Sequence, residues 1–264
     1  MIEKPRLMTF LSLFAGIGGF DLGLERAGMK CIGQVEIDTF CQDVLKKHWP
    51  NVKLFGDIYN VKGDEFGKVD VICGGVPCQP ASTAGKRKGV ADNRWLWPEA
   101  FRIVRKIKPT WCLFENVCGI ISLERGMVFD SLLSELEGYG YEVQTFCIPA
   151  CAVNAPHKRD RIWIIGHSKD KISSDSDSKY CQEYIGRDQF RHERKKMSFR
   201  WSIYESAWEE NWITIATRFC RVDDGFPKGM DRTNRLKALG NSVIPQIVEK
   251  IGKAIIYATN GREA

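Results

Sequence analysis

No stretch of this 264-residue chain approaches the roughly 20 consecutive apolar residues of a membrane-spanning helix, so no membrane partner is expected. The ten cysteines include no CxxC pair. Cys147 and Cys151 form a lone CxxxC with no second pair to complete four zinc ligands, and no metal site is expected. Glu3, Lys4, Pro5 and Arg6 precede only a short apolar run, so no secretory leader is expected; the thiols read as reduced, mostly buried and cytoplasmic. Internal repeats are absent. So are the Gly-Lys-Ser/Thr of a P-loop and the spacing of a G-x-G-x-x-G dinucleotide fingerprint. These absences remove membrane spans, disulfide scaffolds, zinc ribbons and the commonest phosphate-cradling folds.

What is present is an ordinary globular composition, 44% hydrophobic and 27% charged, enough for one sizeable core and a small appended lobe. Lys and Arg (39) exceed Asp and Glu (33), a net charge of +6 that suits a polyanionic partner without identifying one. Short apolar runs alternate with helical periodicities. Strands are predicted over Met8 to Phe14, Cys31 to Glu36, Val69 to Cys73 (broken by Gly74 and Gly75), Trp111 to Glu115, Tyr141 to Ile148 and Arg161 to Gly166. Helices are predicted over Phe20 to Arg26, Thr39 to His48, Trp97 to Ile107, Phe129 to Glu137 and Ser242 to Tyr257. The alternation predicts an α/β domain around a mostly parallel sheet. After His167 the character changes to a charged, aromatic stretch without clear period. The chain is therefore divided into a main domain over 1–166, an insert over 167–222 and a returning segment over 223–264.

Phe14-Ala15-Gly16-Ile17-Gly18-Gly19-Phe20 lies between the first strand and helix, where glycines let backbone approach a ligand closely. Glu36 ends the next strand, placed to accept both hydroxyls of a ribose. Asp57 ends a third strand region and could accept from an adenine amino group. Loop and acids together point to an adenosine-containing ligand without phosphates, of the kind S-adenosylmethionine represents.

Gly74-Gly75-Val76-Pro77-Cys78-Gln79-Pro80 puts a cysteine just beyond a buried strand, where α/β sheets hold their active sites. Prolines and glycines fix the turn, and Lys86, Arg87, Lys88 and Arg94 follow closely enough to favour a thiolate. Glu115-Asn116-Val117 ends the next strand and is expected to open onto the same crevice. Arg161, after His157-Lys158-Arg159-Asp160, begins the last strand of the series.

These segments, in this order and spacing, resemble the DNA cytosine-5 methyltransferase family over about residues 9–166 and 223–250. Phe14 to Phe20 resembles its cofactor loop, Pro77-Cys78-Gln79 its nucleophile motif and Glu115-Asn116-Val117 its cytosine-binding acid. Arg159 and Arg161 match its arginine pair, and Gly240-Asn241-Ser242-Val243 its final motif. His157 departs from the glutamine usual there. The Asp/Asn-Pro-Pro-aromatic motif of amino-methylating relatives is absent, which favours carbon 5.

The resemblance implies a seven-stranded methyltransferase sheet, mostly parallel with an antiparallel last strand, helices on both faces, and a short recognition insert. It implies S-adenosylmethionine as cofactor, leaving as S-adenosylhomocysteine, with Phe14, Gly16, Gly18, Gly19, Glu36, Ile37, Asp57, Ile58 and Asn241 lining its site. Cys78, Glu115, Arg159 and Arg161 would form the catalytic set, Arg161 touching the base O2. The implied partner is double-stranded DNA, bound by a monomer with the target base flipped out, and a cognate restriction endonuclease stays open. Gln79, Ser82, Lys86 and Arg94 would face DNA from the nucleophile loop. Arg187, Arg191, Arg194, Lys195, Lys196 and Arg200 would meet phosphates from the insert. A tRNA-directed enzyme and a catalytically silent DNA-binding relative are the alternatives.

Overall fold

The computed structural model describes residues 6–77, 95–155, 157–171 and 232–260. Seven strands form one sheet: β1 Thr9–Leu13, β2 Lys30–Val35, β3 Leu54–Phe55, β4 Val71–Gly75, β5 Trp111–Val117, β6 Tyr141–Ile148 and β7 Arg161–Ser168. Six α-helices accompany them among the described residues: α1 Gly19–Ala27, α2 Thr39–His48, α3 Trp97–Ile107, α4 Met127–Gly138, α5 Arg232–Asn241 and α6 Pro245–Asn260. Strand order is β3-β2-β1-β4-β5-β7-β6. All neighbours run parallel except β7, which is antiparallel to both β5 and β6. This is the mostly parallel seven-stranded sheet, with its reversed last strand, that the family resemblance implies.

The central strands carry apolar side chains on both faces because both are covered. Phe10, Leu11, Leu13, Val71, Ile72, Leu113 and Phe114 are all fully buried. One face packs under α1 and α6, through Phe20, Leu24, Val248 and Ile251. The other packs under α3 and α4, through Trp97, Phe101, Phe129 and Leu136. The helices α1 and α6 touch backbone to side chain. A Cβ added at Gly23 would lie 2.5 Å from Val248 Cβ and 2.7 Å from Pro245 O.

The strand order reverses direction at β1 and β4, and crevices outside the carboxyl ends of strands at such a switch hold ligands. Loops after β1, β2 and β3 line one side of this crevice; Val76 and Pro77, just beyond β4, and the loop after β5 line the other. Because β7 is reversed, its first residue pairs with the last residue of β5, Val117 with Arg161. The amino end of β7 thus reaches the same rim.

Several element boundaries differ from the sequence reading. Phe14 leaves β1 with φ 54°, a left-handed turn that no strand tolerates. Gly74 and Gly75 do not break β4 but belong to it, and a Cβ at Gly74 would meet Leu13 O at 2.5 Å. Lacking one, β4 packs flush against β1. β5 runs two residues further than expected, to Val117. The last helix starts at Pro245 rather than Ser242, with proline in the first turn, where its missing N–H goes unneeded. A separate helix, α5, precedes it, which the sequence reading lacks. Of the insert over 167–222, only residues up to 171 fall within the described part.

Candidate active site

The first strand delivers a sharply turned loop. Phe14, Gly16 and Gly18 have φ of 54°, 57° and 85°. The loop is tied down by Ala15 N–H donating to Val35 O at 3.0 Å and Gly18 N–H donating to Ala15 O at 2.9 Å. Glu36, at the end of β2, accepts from Gly16 N–H at 2.7 Å through Oε2 and from Asp38 N–H at 2.8 Å through Oε1. Its carboxylate therefore braces two loops at once, a role the sequence reading missed. Each oxygen retains a lone pair for a further donor such as a ribose hydroxyl.

The same contact bears on the ligand's charge. A phosphate needs free backbone N–H groups, but here the Gly16 amide is engaged by a carboxylate that would repel an anion. No atom lies within 4 Å of where a Gly16 Cβ would stand, so the loop faces open space beside that acid. Ile37, next along, is 72% exposed, an apolar surface of the kind a planar base covers. Asp57 caps the short turn Ile58–Asn60, its Oδ1 accepting from Tyr59 N–H at 3.0 Å, while Ile58 is buried. Acid, apolar platform and second acid fit a phosphate-free nucleoside.

The chain's end returns to this loop. A Cβ at Gly19 would lie 2.6 Å from Ser242 Oγ and 2.9 Å from Val243 O. Asn241 closes α5 with its residue exposed, and Lys237 of the same helix pairs with Asp38 at 3.2 Å.

Across the switch, the tip of β5 supplies Glu115 and Asn116. Residues Trp111, Leu113 and Glu115 alternate onto one face, and the last of them reaches the rim. Gly75 of β4 is its register partner, and a Cβ there would stand 3.4 Å from Glu115 Oε2. Asn116 Nδ2 donates to Val76 O at 3.0 Å, fastening the chain that leaves β4 to the tip of β5. Cys78 follows two residues after Val76 and lies outside the described residues.

Glu115 is only 7% exposed. Burial pushes its carboxyl up to about 7, against the lowering pull of Arg161 and Arg159. Arg161 Nε holds Glu115 Oε1 at 2.9 Å, and Arg161 Nη1 donates to Asp160 O at 2.9 Å. Arg159, at φ 33°, donates through Nη2 to Ser242 O at 2.7 Å. It thereby links the rim formed by β5 and β7 to the returning segment, and burial together with Arg161 holds its pKa below the usual guanidinium value.

The structure thus brings together Glu115, Arg159 and Arg161 at one rim, and Phe14, Gly16, Gly18, Gly19, Glu36, Ile37, Asp57, Ile58 and Asn241 around the loops opposite. Gln79, Ser82, Lys86, Arg94, Arg187, Arg191, Arg194, Lys195, Lys196 and Arg200 lie outside the described residues. Cys147 meets Cys118 rather than Cys151, Sγ to Sγ at 3.2 Å. The described residues contain no group of three or more His, Cys, Asp or Glu side chains placed to hold a metal ion. None of their helices is long and apolar enough to cross a membrane.

Comparison with known proteins agrees with this geometry. The Herpetosiphon aurantiacus Type II methyltransferase M.HgiCII is 38% identical over 161 residues, 60% of this chain and 36% of the relative. The Type II methyltransferase M.PspPI of a Psychrobacter strain is 37% identical over 186 residues, 68% of this chain and 45% of the relative. The chain thus spans less than half the length of these curated relatives. The crystal structure of S. pombe Dnmt2 methyltransferase shares the fold, with a TM-score of 0.61 at 19% identity over 97% of this chain and 100% of that one. The profile of the C-5 cytosine-specific DNA methylases matches residues 8–220, most of the chain, and the chain belongs to that family.

Proposed function

We propose that this protein methylates carbon 5 of cytosine in double-stranded DNA, with S-adenosylmethionine as cofactor. The observation that carries the reading is Glu115: a buried carboxyl raised to about 7, oriented by Arg161 and facing the strand that leads to Cys78.

The chemistry follows from what cytosine lacks. Its C5 is a poor nucleophile, and the target must first leave the base stack. The Cys78 thiolate adds to C6, and the ring's developing negative charge is relieved as Glu115 passes its proton to N3. C5 is then enamine-like and takes a methyl group. When bound, S-adenosylmethionine supplies that methyl as an electrophile and departs as S-adenosylhomocysteine. Loss of the C5 proton to a base, return of the N3 proton to Glu115 and expulsion of the Cys78 thiolate restore the aromatic ring and free the enzyme.

Glu36, Ile37, Asp57, Ile58 and Asn241 hold the cofactor, with Phe14, Gly16, Gly18 and Gly19 shaping its loop. Arg161 keeps Glu115 aimed and presents its remaining N–H groups to the base O2. Arg159 acts one step back, holding Ser242. The basic residues of the insert, from Arg187 to Arg200, meet phosphates and fix register on the duplex. The protein acts as a monomer in the cytoplasm of a bacterial or phage-infected cell.

Duplex DNA containing 5-fluorocytosine tests the reading, because fluorine at C5 blocks the proton loss and traps the adduct. A stable protein–DNA complex is expected with S-adenosylmethionine present, and none with Cys78→Ala. Methyl transfer at the wild-type rate by Cys78→Ala, or labelling of tRNA in preference to duplex DNA, overturns it. Bisulfite sequencing of DNA from expressing cells would read the target sequence.

A further inference from the structure

We infer that Arg102 is a positioning residue for the cofactor: from α3 it clamps the turn that presents Asp57 and Ile58. The inference rests on the proposed reading of those two residues as cofactor contacts.

The turn after β3 is held from within by the Asp57 cap on Tyr59 N–H and by two backbone bonds. Asn60 N–H donates to Asp57 O at 3.1 Å and Val61 N–H to Ile58 O at 3.2 Å, the weak pattern of a single 3₁₀ turn. Ile58 and Val61 are buried, which fixes the depth of the segment but not its rotation, since apolar burial is non-directional. Direction comes from the neighbouring helix. Arg102 Nη1 donates to Val61 O at 2.7 Å and Nη2 donates to Ile58 O at 2.9 Å. Its Nε is held by Glu99 Oε2 at 2.7 Å, one helical turn back.

A guanidinium is a rigid planar fork, so three fixed partners define its plane. Two of those partners are carbonyls of the turn itself, one of them belonging to Ile58. The clamp therefore sets where Ile58 sits and how its neighbour Asp57 faces the crevice. Arg102 is itself only one-third exposed, so these bonds are partly shielded from water.

The test measures S-adenosylhomocysteine binding by calorimetry, and S-adenosylmethionine KM and kcat on duplex DNA, in the full-length protein. Arg102→Gln is expected to weaken binding about tenfold, equivalent to about 1.4 kcal/mol. KM should rise in step, while kcat at saturating cofactor stays within about twofold and DNA affinity is unchanged. Arg102→Lys keeps the charge but not the fork and should fall between. Asp57→Ala is the reference. Combined with Arg102→Gln it should weaken binding by less than the product of the two single effects, because both act through one turn. Weakened binding by Asp57→Ala with normal binding by both Arg102 variants overturns the clamp alone. Normal binding by Asp57→Ala overturns the pocket reading beneath it. A fall in kcat and melting temperature with unchanged cofactor Kd makes Arg102 a mere structural residue and also overturns the proposal.

Discussion

Glu115 and Arg161 meet at 2.9 Å across two antiparallel strands, offset diagonally by two residues. Glu115 faces Trp163 in register and Arg161 faces Val117, so both side chains project from one face at the rim of the sheet. The arginine orients the acid, and burial keeps the acid partly protonated despite that cation.

This sets a pH dependence. In the proposed mechanism Glu115 reacts in its protonated form, so the single-turnover methylation rate should fall as pH rises through about 7. Removing a cation that lowers the pKa moves that limb: Arg161→Ala should shift it to higher pH. Glu115→Gln has no proton to give and should lose about 100-fold or more in rate. The same shift acts on folding. The folded carboxyl binds its proton more tightly than the unfolded one, whose pKa is 4.5. The stabilisation is thus full below about pH 4.5 and gone above about pH 7, a change on the order of 3 kcal/mol. Urea midpoints across this range should fall with pH in the wild type and stay flatter in Glu115→Gln.

Asn116 is expected to act on rate rather than on binding. Its Nδ2 bond to Val76 O holds the strand end that leads to Cys78. Asn116→Ala should lower kcat about tenfold to 100-fold, since small misplacements of reacting groups are costly. Cofactor Kd should stay near the wild-type value. A raised cofactor Kd with normal kcat would place Asn116 elsewhere in the mechanism.

Gly23 sets helix propensity against packing. In an isolated helix, alanine in place of glycine stabilises by about 1 kcal/mol. Here the added Cβ would stand 2.5 Å from Val248 Cβ and 2.7 Å from a backbone carbonyl, and neither can move aside like the end of a flexible chain. Overpacking of this kind costs about 1–3 kcal/mol, so Gly23→Ala should be destabilised overall and melt at a lower temperature. A higher melting temperature would show that α6 yields.

Cys147 should be the most reactive of the described cysteines. The adjacent Cys118 thiol lowers its pKa to about 7, and its residue is exposed. By contrast Cys31, Cys73 and Cys112 are buried. In a Cys78→Ser background, iodoacetamide at pH 7 should label Cys147 first by peptide mass mapping. Cys118→Ala should slow that reaction, because it removes the neighbouring thiol whose hydrogen bond favours the Cys147 thiolate.

The fold was legible where signals are local. Apolar runs such as Phe10 to Leu13 and Cys112 to Phe114 mark strands covered on both faces, and Pro109 and Gly28 mark helix ends. The glycine loop was legible for a similar reason, since the left-handed backbone at Gly16 and Gly18, φ 57° and 85°, favours glycine almost wherever it occurs. Less legible were features made by contact. Gly74 and Gly75 read as strand breakers, yet they are strand residues whose missing side chains admit β1 and Glu115. Arg102 carries no motif at all and is recognised only by the carbonyls it reaches.

Residue types and their spacing along the chain were enough to place it in its family and to nominate the acid and the arginine pair, because motifs are local in the chain. Only the tertiary structure decided that Arg161 meets Glu115. That contact requires β7 to enter between β5 and β6 in reverse, a matter of long-range pairing with no local signal. It also decided that Glu115 titrates near 7, since the loss of water around a carboxyl belongs to the packed surroundings and not to the residue.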